Sequence, residues 1–149
     1  MTGKELWNLF IREKNLPEIT SDYDAWSFGS SADELAQLVV NGIKTATSSA
    51  YPLYELKNDP LPVADAYSVI LDSKGTAVCV IQTTKVEVIP FDKVTAEHAY
   101  QEGEGDRSLA HWREVHEKFF TKALNKVGLT FTADMKVVCE DFSVVYKQQ

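Results

Sequence analysis

An amine and a hydroxyl follow a predicted helix end early in the chain. The helix signal over residues 33–40 stops at Gly42, because glycine adopts the left-handed conformation of a helix C-terminus without a Cβ clash. Lys44 and Thr47 come directly after this glycine. In a turn of helical pitch the two side chains would face one pocket, where a desolvated amine could activate a hydroxyl or stabilise an oxyanion. In a regular strand they would point to opposite faces, and spacing alone favours this simpler arrangement of a surface lysine beside a strand threonine.

A second group of ionisable side chains lies in the segment 98–108, which begins with His98. Its carboxylates are Glu102, Glu104 and Asp106. They superficially resemble a calcium loop, but Arg107 stands at the sixth position, where an EF-hand needs glycine. From spacing alone the segment is a solvated acidic loop that caps the following helix through Asp106 or Ser108.

Common catalytic and metal-binding motifs are absent from the sequence. The three histidines form neither an H-E-x-x-H pattern nor a cluster with cysteine, so no zinc site is predicted. His116 lies on the apolar stripe of a predicted helix and is interpreted as a core residue, whereas His98 and His111 are interpreted as surface residues. There is no G-x-S-x-G elbow, and Gln37 stands where a phosphate-binding loop needs its first glycine. We expect neither a metal nor a cofactor.

Helices and strands must position these groups. Helices are predicted over 2–15 and 33–40, and a capping-box pattern opens each of them. The two patterns are Thr2 with Glu5 and Ser31 with Glu34. Thr95 begins a short helix that reaches about residue 102, and the clearest helix signal covers 108–127.

Strands are predicted between and after these helices. Their ranges are 45–54, 66–71, 77–89, 135–142 and 143–146, the last two forming either two strands or one bent strand. A hairpin turn is predicted over residues 72–75, and a loop or short strand is predicted over 21–29. Helices, strands, helices and strands in this order predict an α+β fold. The expected architecture is a small mixed or antiparallel β-barrel with helices packed outside.

Length and composition favour one domain with a real core. The chain has 149 residues, a net charge of −7 and 44% hydrophobic residues. An acidic chain is a poor binder of duplex nucleic acid, because that affinity comes from lysine and arginine neutralising phosphates. No membrane span or signal segment is evident, so we expect a cytoplasmic protein. Cys79 and Cys139 are interpreted as buried free thiols.

Two sequence blocks resemble a known family. Gly42-x-Lys44-x-x-Thr47 is followed by His98-Ala99-x-Gln101-Glu102, and this order is similar to the ASCH domain, a PUA-like β-barrel related to RNA-binding PUA domains. A longer stretch resembles the larger bacterial subfamily; it comprises Glu102 to Leu109 with Trp112, His116, Phe119 and Phe120. The resemblance implies a single domain over residues 1–149, with an N-terminal helical extension over about 1–25.

The resemblance also implies an activity. A smaller member of the family is an amidohydrolase that removes acetyl from N4-acetylcytidine, and its lysine, threonine and glutamate fall on Lys44, Thr47 and Glu102. Thr47 would be the nucleophile, Lys44 its activator or oxyanion partner, and Glu102 the proton shuttle to the leaving amine. The chain departs from the small amidohydrolases in its N-terminal helices and in the inserted helix over 108–127, and both could change the substrate.

The substrate and the alternatives follow from the same residues. The predicted substrate-binding residues are Trp26, Tyr51, Arg107 and Ser108, of which Trp26 and Tyr51 could stack a base or simply pack in the core. The acidic charge favours a nucleoside or a small RNA-derived substrate over a polymer. The alternatives are a non-catalytic RNA- or nucleotide-binding module, in which Lys44, Arg107 and Arg113 contact phosphates of single-stranded RNA, and a metal-independent ribonuclease.

Overall fold

The computed structural model describes residues 1–16 and 22–147. Its helices are α1 (Gly3–Glu13), α2 (Ala32–Val40), α3 (Tyr51–Lys57), α4 (Ala96–Glu102) and α5 (Leu109–Asn125), with a 3₁₀ turn over Phe91–Lys93. Its strands are β1 (Tyr23–Trp26), β2 (Ala46–Ala50), β3 (Tyr67–Leu71), β4 (Ala77–Pro90) and β5 (Lys136–Tyr146). The predicted α+β class is therefore confirmed.

The five strands form one sheet in the order β1-β3-β4-β5-β2. β1 runs parallel to β3, and the remaining neighbours are antiparallel. Within the described residues the two edge strands, β1 and β2, do not pair with each other, so the sheet stays open rather than closing into the predicted barrel. Both edge strands are short, and helices rather than further strand pairing cover the sheet.

The first helix begins as predicted and the second does not. Thr2 and Glu5 form a complete capping box at the start of α1. Ser31 lies before α2 in the left-handed conformation and makes no capping hydrogen bond, so the second predicted capping box is wrong. The helix α2 itself is present. Residues 17–21 of the predicted N-terminal extension lie outside the described residues.

The predicted strand over 45–54 is only half correct. It ends at Ala50, and α3 begins at Tyr51 with Pro52 in its first turn. Proline suits this position because its missing N–H is unpaired in a first helical turn anyway and its φ is already helical. At the C-terminal end, β5 is one strand with register shifts against β4, which resolves the alternative left open by the sequence.

Apolar side chains pack on both faces of the sheet. Leu6, Trp7 and Phe10 of α1 bury themselves against β3 and β4. A larger cluster joins α5 to β2 and β5, with Trp112 and Phe120 among its buried members. Cys79 and Cys139 are buried free thiols, as predicted, and burial raises the pKa of each to about 12. In the described part of the chain, no helix is both long and apolar enough to cross a membrane.

Candidate functional site

The glycine turn after α2 delivers Lys44 into the interior. Gly42 has a φ of +75°, and its N–H donates to the carbonyl oxygen of Val39. The next two N–H groups, of Ile43 and Lys44, both donate to Leu38. The bonds from Gly42 and Ile43 form a Schellman motif, which confirms the predicted helix stop. The turn reverses the chain, and the Lys44 side chain is only 1% exposed.

Two carboxylates hold the Lys44 ammonium. Its Nζ lies 3.1 Å from Glu102 Oε1 and 3.0 Å from Glu104 Oε2. The ring of Phe28 lies 5.3 Å from the same nitrogen, which adds a cation–π contact. The backbone locks the two segments together, because the N–H of Thr45 donates to the carbonyl of Gln101 at the end of α4. Lys44 is therefore a buried cation between α2, α4 and the connection after α4.

Glu102 is the centre of the site. Besides Lys44, its carboxylate meets four side chains from three elements. On Oε2 it accepts hydrogen bonds from the Ser48 hydroxyl at 2.5 Å and from Trp112 Nε1 at 2.6 Å, and His98 Nε2 lies 3.1 Å away. On Oε1 it lies 3.5 Å from His116 Nε2. This carboxylate is consequently fixed on both oxygens.

A serine and a histidine complete the arrangement. Ser48 projects from β2, and its Oγ lies 2.7 Å from His98 Nε2 as well as 2.5 Å from Glu102. His98 and Glu102 are four residues apart on α4 and so share one helical face. The Ser48 hydroxyl therefore lies within hydrogen-bond reach of two groups that could accept its proton, which is the first requirement for an activated nucleophile.

Charge partners control the protonation of the buried groups. Burial alone would raise the pKa of Glu102, but the Lys44 ammonium and hydrogen bonds from His116 and His98 hold it well below the ordinary value. Burial would lower the pKa of His116, yet the hydrogen bond and charge of Glu102 raise it above 6.5. His116 also stacks on Trp112 with 4.4 Å between ring centroids. Glu102 is thus ionised, and its charge favours protonated His116.

The same groups resemble a metal site only in composition. Glu102, Glu104 and His116 each offer one ligand atom, and these atoms lie within 4.8 Å of one another. The Lys44 ammonium contacts both carboxylates, so it already supplies the positive charge that a cation would bring. A bound metal would place a second cation beside this ammonium, and the donor set therefore does not fit a metal centre.

Comparisons with known proteins show the family of this chain. The model of the ASCH domain family matches residues 24–146. The chain belongs to the ASCH domain family. The crystal structure of the ASCH domain from Lactobacillus crispatus JV V101 has 30% sequence identity and a TM-score of 0.91, covering 97% of this chain and 94% of that one.

Two further solved structures resemble this ASCH domain. A protein from Enterococcus faecalis V583 has 37% identity and a TM-score of 0.85, covering 95% of this chain and 86% of that chain. A mutant ASCH protein from Zymomonas mobilis shares the fold, with 16% identity and a TM-score of 0.50, covering 85% of this chain and 69% of that chain. No curated protein matches this chain.

The ASCH domain brings together two of the three residues predicted as catalytic. Lys44 and Glu102 form an ion pair, but Thr47 does not join them. Thr47 lies one position before Ser48 in β2, so its side chain points to the opposite face of the strand. It pairs there with Glu140 of β5. Within the described residues, no hydrogen bond links Thr47 to Lys44 or Glu102.

The four predicted substrate-binding residues lie in different places. Trp26 packs edge-on against Phe28 at 5.1 Å, on the Lys44 side of the sheet. The Tyr51 ring has Lys136 Nζ at 5.4 Å. Of these two residues, Trp26 is the one that lies near the buried cation, through its contact with Phe28.

Arg107 and Ser108 have contacts that stabilise the fold. The Arg107 guanidinium lies over the Tyr100 ring at 3.6 Å and donates to the carbonyl oxygens of Tyr100 and Ile43. Ser108 is the N-cap of α5, where its hydroxyl accepts from the N–H of His111. Both residues hold the connection between α4 and α5 in place.

Sequence reasoning missed three residues of the site. Ser48 and Trp112 were not assigned a role in it, and the prediction of a surface position for His98 is wrong because it is buried against Ser48 and Glu102. His116 is buried as predicted, but it faces Glu102. The spacing of His98 and Glu102 on one helical face was a usable signal, since a polar pair at this spacing can act together.

Proposed function

We propose that this ASCH domain is a hydrolase that cleaves an amide on a modified nucleobase or nucleoside such as N4-acetylcytidine. One observation carries the proposal. The Ser48 hydroxyl, the His98 imidazole and the Lys44 ammonium all converge on the Glu102 carboxylate in a protected interior. This set offers a nucleophile, a proton acceptor and a positive charge for a developing oxyanion.

A purely structural role explains the cluster less well. Buried ion pairs rarely stabilise a fold more than apolar side chains of the same size would, because each charge must be removed from water. Glu102 also ends α4, where the helix dipole disfavours a negative charge. Groups with displaced pKa values, such as Glu102 and His116, concentrate at functional sites.

The geometry supports specific roles. The His98 tautomer that carries its proton on Nδ1 leaves Nε2 free to accept, and the Ser48 hydroxyl turns toward it from Glu102. Ser48 Oγ then attacks the amide carbonyl carbon while its proton moves to His98 Nε2, and the oxyanion forms beside Lys44 Nζ. The carbon–nitrogen bond then breaks as His98 returns the proton to the exocyclic amine, leaving Ser48 acylated. Water, deprotonated by His98, attacks this ester, and the acid leaves as Ser48 regains the proton.

Glu102 and Thr47 have different roles in this scheme from those implied by the family resemblance. The carboxylate of Glu102 is saturated with donors and has a depressed pKa, so it is a poor base and serves as the anchor for Lys44, Ser48 and His98. Ser48 takes the place of Thr47, because only Ser48 faces this carboxylate.

The substrate class follows from charge and from the aromatic side chains. A net charge of −7 repels a polyphosphate but not an uncharged nucleoside. Trp26 lies beside Phe28, whose ring contacts Lys44, and this places a stacking surface near the cation. Trp26 is therefore the preferred candidate for holding the base.

Incubation of the purified protein with N4-acetylcytidine tests the proposal. We expect release of cytidine and acetate, separated by chromatography, from the wild-type protein. Lys44→Met keeps the length and most of the apolar contacts of the side chain but removes its charge, and we expect it to be inactive. Circular dichroism verifies that this variant is folded. Absence of turnover by the wild type, or full turnover by the folded variant, contradicts the proposal.

A further inference from the structure

The two carboxylates on Lys44 are held very differently. Glu102 is 2% exposed and contacts four further side chains. Glu104 is 22% exposed, and in the described part of the chain its carboxylate has Lys44 as its single hydrogen-bond partner. Glu102 is therefore a fixed member of the site, whereas Glu104, whose side chain is partly exposed, can leave by breaking one contact.

The backbone on both sides of Glu104 is fixed, so only its side chain is free to move. Gly103 ends α4 and lies directly against the backbone of Ile43, so this end is fixed. Arg107, at the other end, is fixed by its contacts with Tyr100 and Ile43. The Glu104 carbonyl also accepts from the N–H of Arg107, and Gly105 lies against His111. The carboxylate of Glu104 can turn outward by rotation of its own side chain without breaking any of these backbone contacts.

The charges show what would replace Glu104. When His116 is protonated, two cations, Lys44 and His116, lie beside the single charge of Glu102, and Glu104 supplies the second negative charge. Departure of Glu104 would leave an ammonium that is 1% exposed with a free donor and an uncompensated charge. A small anion or a polarised carbonyl oxygen restores both the charge and the hydrogen bond.

We propose that Lys44 Nζ is the binding point for the acyl oxygen of the substrate and for the carboxylate of the product, and that Glu104 occupies this position in the free protein. Glu104 is then a gate that competes with ligand. The ligand class is a small carboxylate, of which acetate is the representative. The proposal rests on the proposed amide hydrolysis for its substrate but not for its binding test.

Acetate binding, measured by changes in the NMR spectrum, tests the gate without any turnover. Glu104→Ala removes the competing carboxylate, and we expect its dissociation constant for acetate to be about tenfold or more below that of the wild type, as for a site freed from a competing closed state. Glu117→Ala is the matched control, because Glu117 is an exposed glutamate on α5 with no partner in the described residues, and we expect no change. Adding Lys44→Met to Glu104→Ala should abolish the increase in acetate affinity.

The outcomes separate the gate from the activity. Equal acetate affinity in the wild type and Glu104→Ala, or a gain that survives Lys44→Met, overturns the gate even if N4-acetylcytidine is hydrolysed. The expected tightening in a protein that does not hydrolyse N4-acetylcytidine supports the carboxylate site and overturns the proposed hydrolase. In an active protein, Glu104→Ala should also lower KM and increase inhibition by acetate.

Discussion

Lys44 Nζ and Glu102 Oε1 lie 3.1 Å apart in the protein interior, although 58 residues separate them in the chain. The glycine turn after α2 presents the amine, and the last turn of α4 presents the carboxylate. Both side chains are almost fully buried, so neither can exchange its partner for water. Each group therefore stabilises the charged form of the other. This mutual dependence gives the site consequences that can be measured in stability as well as in activity.

Removal of the Glu102 charge should destabilise the fold. Glu102→Gln leaves Lys44 buried beside Glu104 alone, and we expect a loss of about 3–5 kcal/mol in the free energy of unfolding, the usual result of breaking a buried pair. Urea denaturation measures this change. Glu114→Gln breaks the exposed pair with Lys118 on α5 and should change stability by less than about 1 kcal/mol. Equal effects of the two substitutions would show that Lys44 and Glu102 do not depend on each other.

The pH dependence of stability follows from two pKa displacements of opposite sign. Glu102 has a pKa well below 4.5, so its contribution is complete above pH 4.5 and is lost as the pH falls through the folded-state pKa. His116 has a pKa above 6.5, so its contribution is complete below pH 6.5 and is lost as the pH rises through its folded-state pKa. Together they are strongest between pH 4.5 and 6.5.

The alkaline side isolates His116. We expect the free energy of unfolding of the wild type, measured in urea, to decline from pH 6.5 upward more steeply than that of His116→Gln, which has no proton to lose at this position. The comparison of slopes matters here, since the variant also loses the stacking on Trp112. Identical slopes would mean that the charge of Glu102 does not raise the pKa of His116.

Gly103 should be required for the approach of α4 to the turn. It has a φ of +72°, and a Cβ at this position would lie 2.6 Å from the carbonyl oxygen of Ile43. Gly75 has a similar φ of +81° with nothing within 4 Å of an added Cβ, so it is a matched control. We expect Gly75→Ala to lower the free energy of unfolding by about 1 kcal/mol, through backbone strain alone. Gly103→Ala should lower it clearly more, and urea denaturation measures both changes. Equal costs would contradict the close contact.

Much of the fold could be predicted from the sequence because local patterns dictate it. The capping box at Thr2, the stop at Gly42 and the apolar stripe of α5 each depend on neighbours a few residues away. The openness of the sheet could not be predicted, because it depends on which distant strands pair at the edges. The short helix α3 was missed since its residues also suit a strand.

The site was predictable only in part, because it also depends on contacts between residues that are distant in the chain. Lys44 and Glu102 were identified through family resemblance, which records long-range contacts that spacing does not contain. The choice between Thr47 and Ser48 depends on which face of β2 turns toward α4, and a shift of one residue reverses it. The burial of His98 likewise depends on the packing of α4 against β2.

The rates of cytidine release from N4-acetylcytidine by Ser48→Ala and Thr47→Ala test the central claim most directly. The two hydroxyls are adjacent in β2 and face opposite sides, so the variants differ in little but the face affected. We predict that Ser48→Ala loses more than about a hundredfold in kcat, because the nucleophile is gone, while Thr47→Ala stays close to the wild type. An active Ser48→Ala protein together with an inactive but folded Thr47→Ala protein would contradict the account.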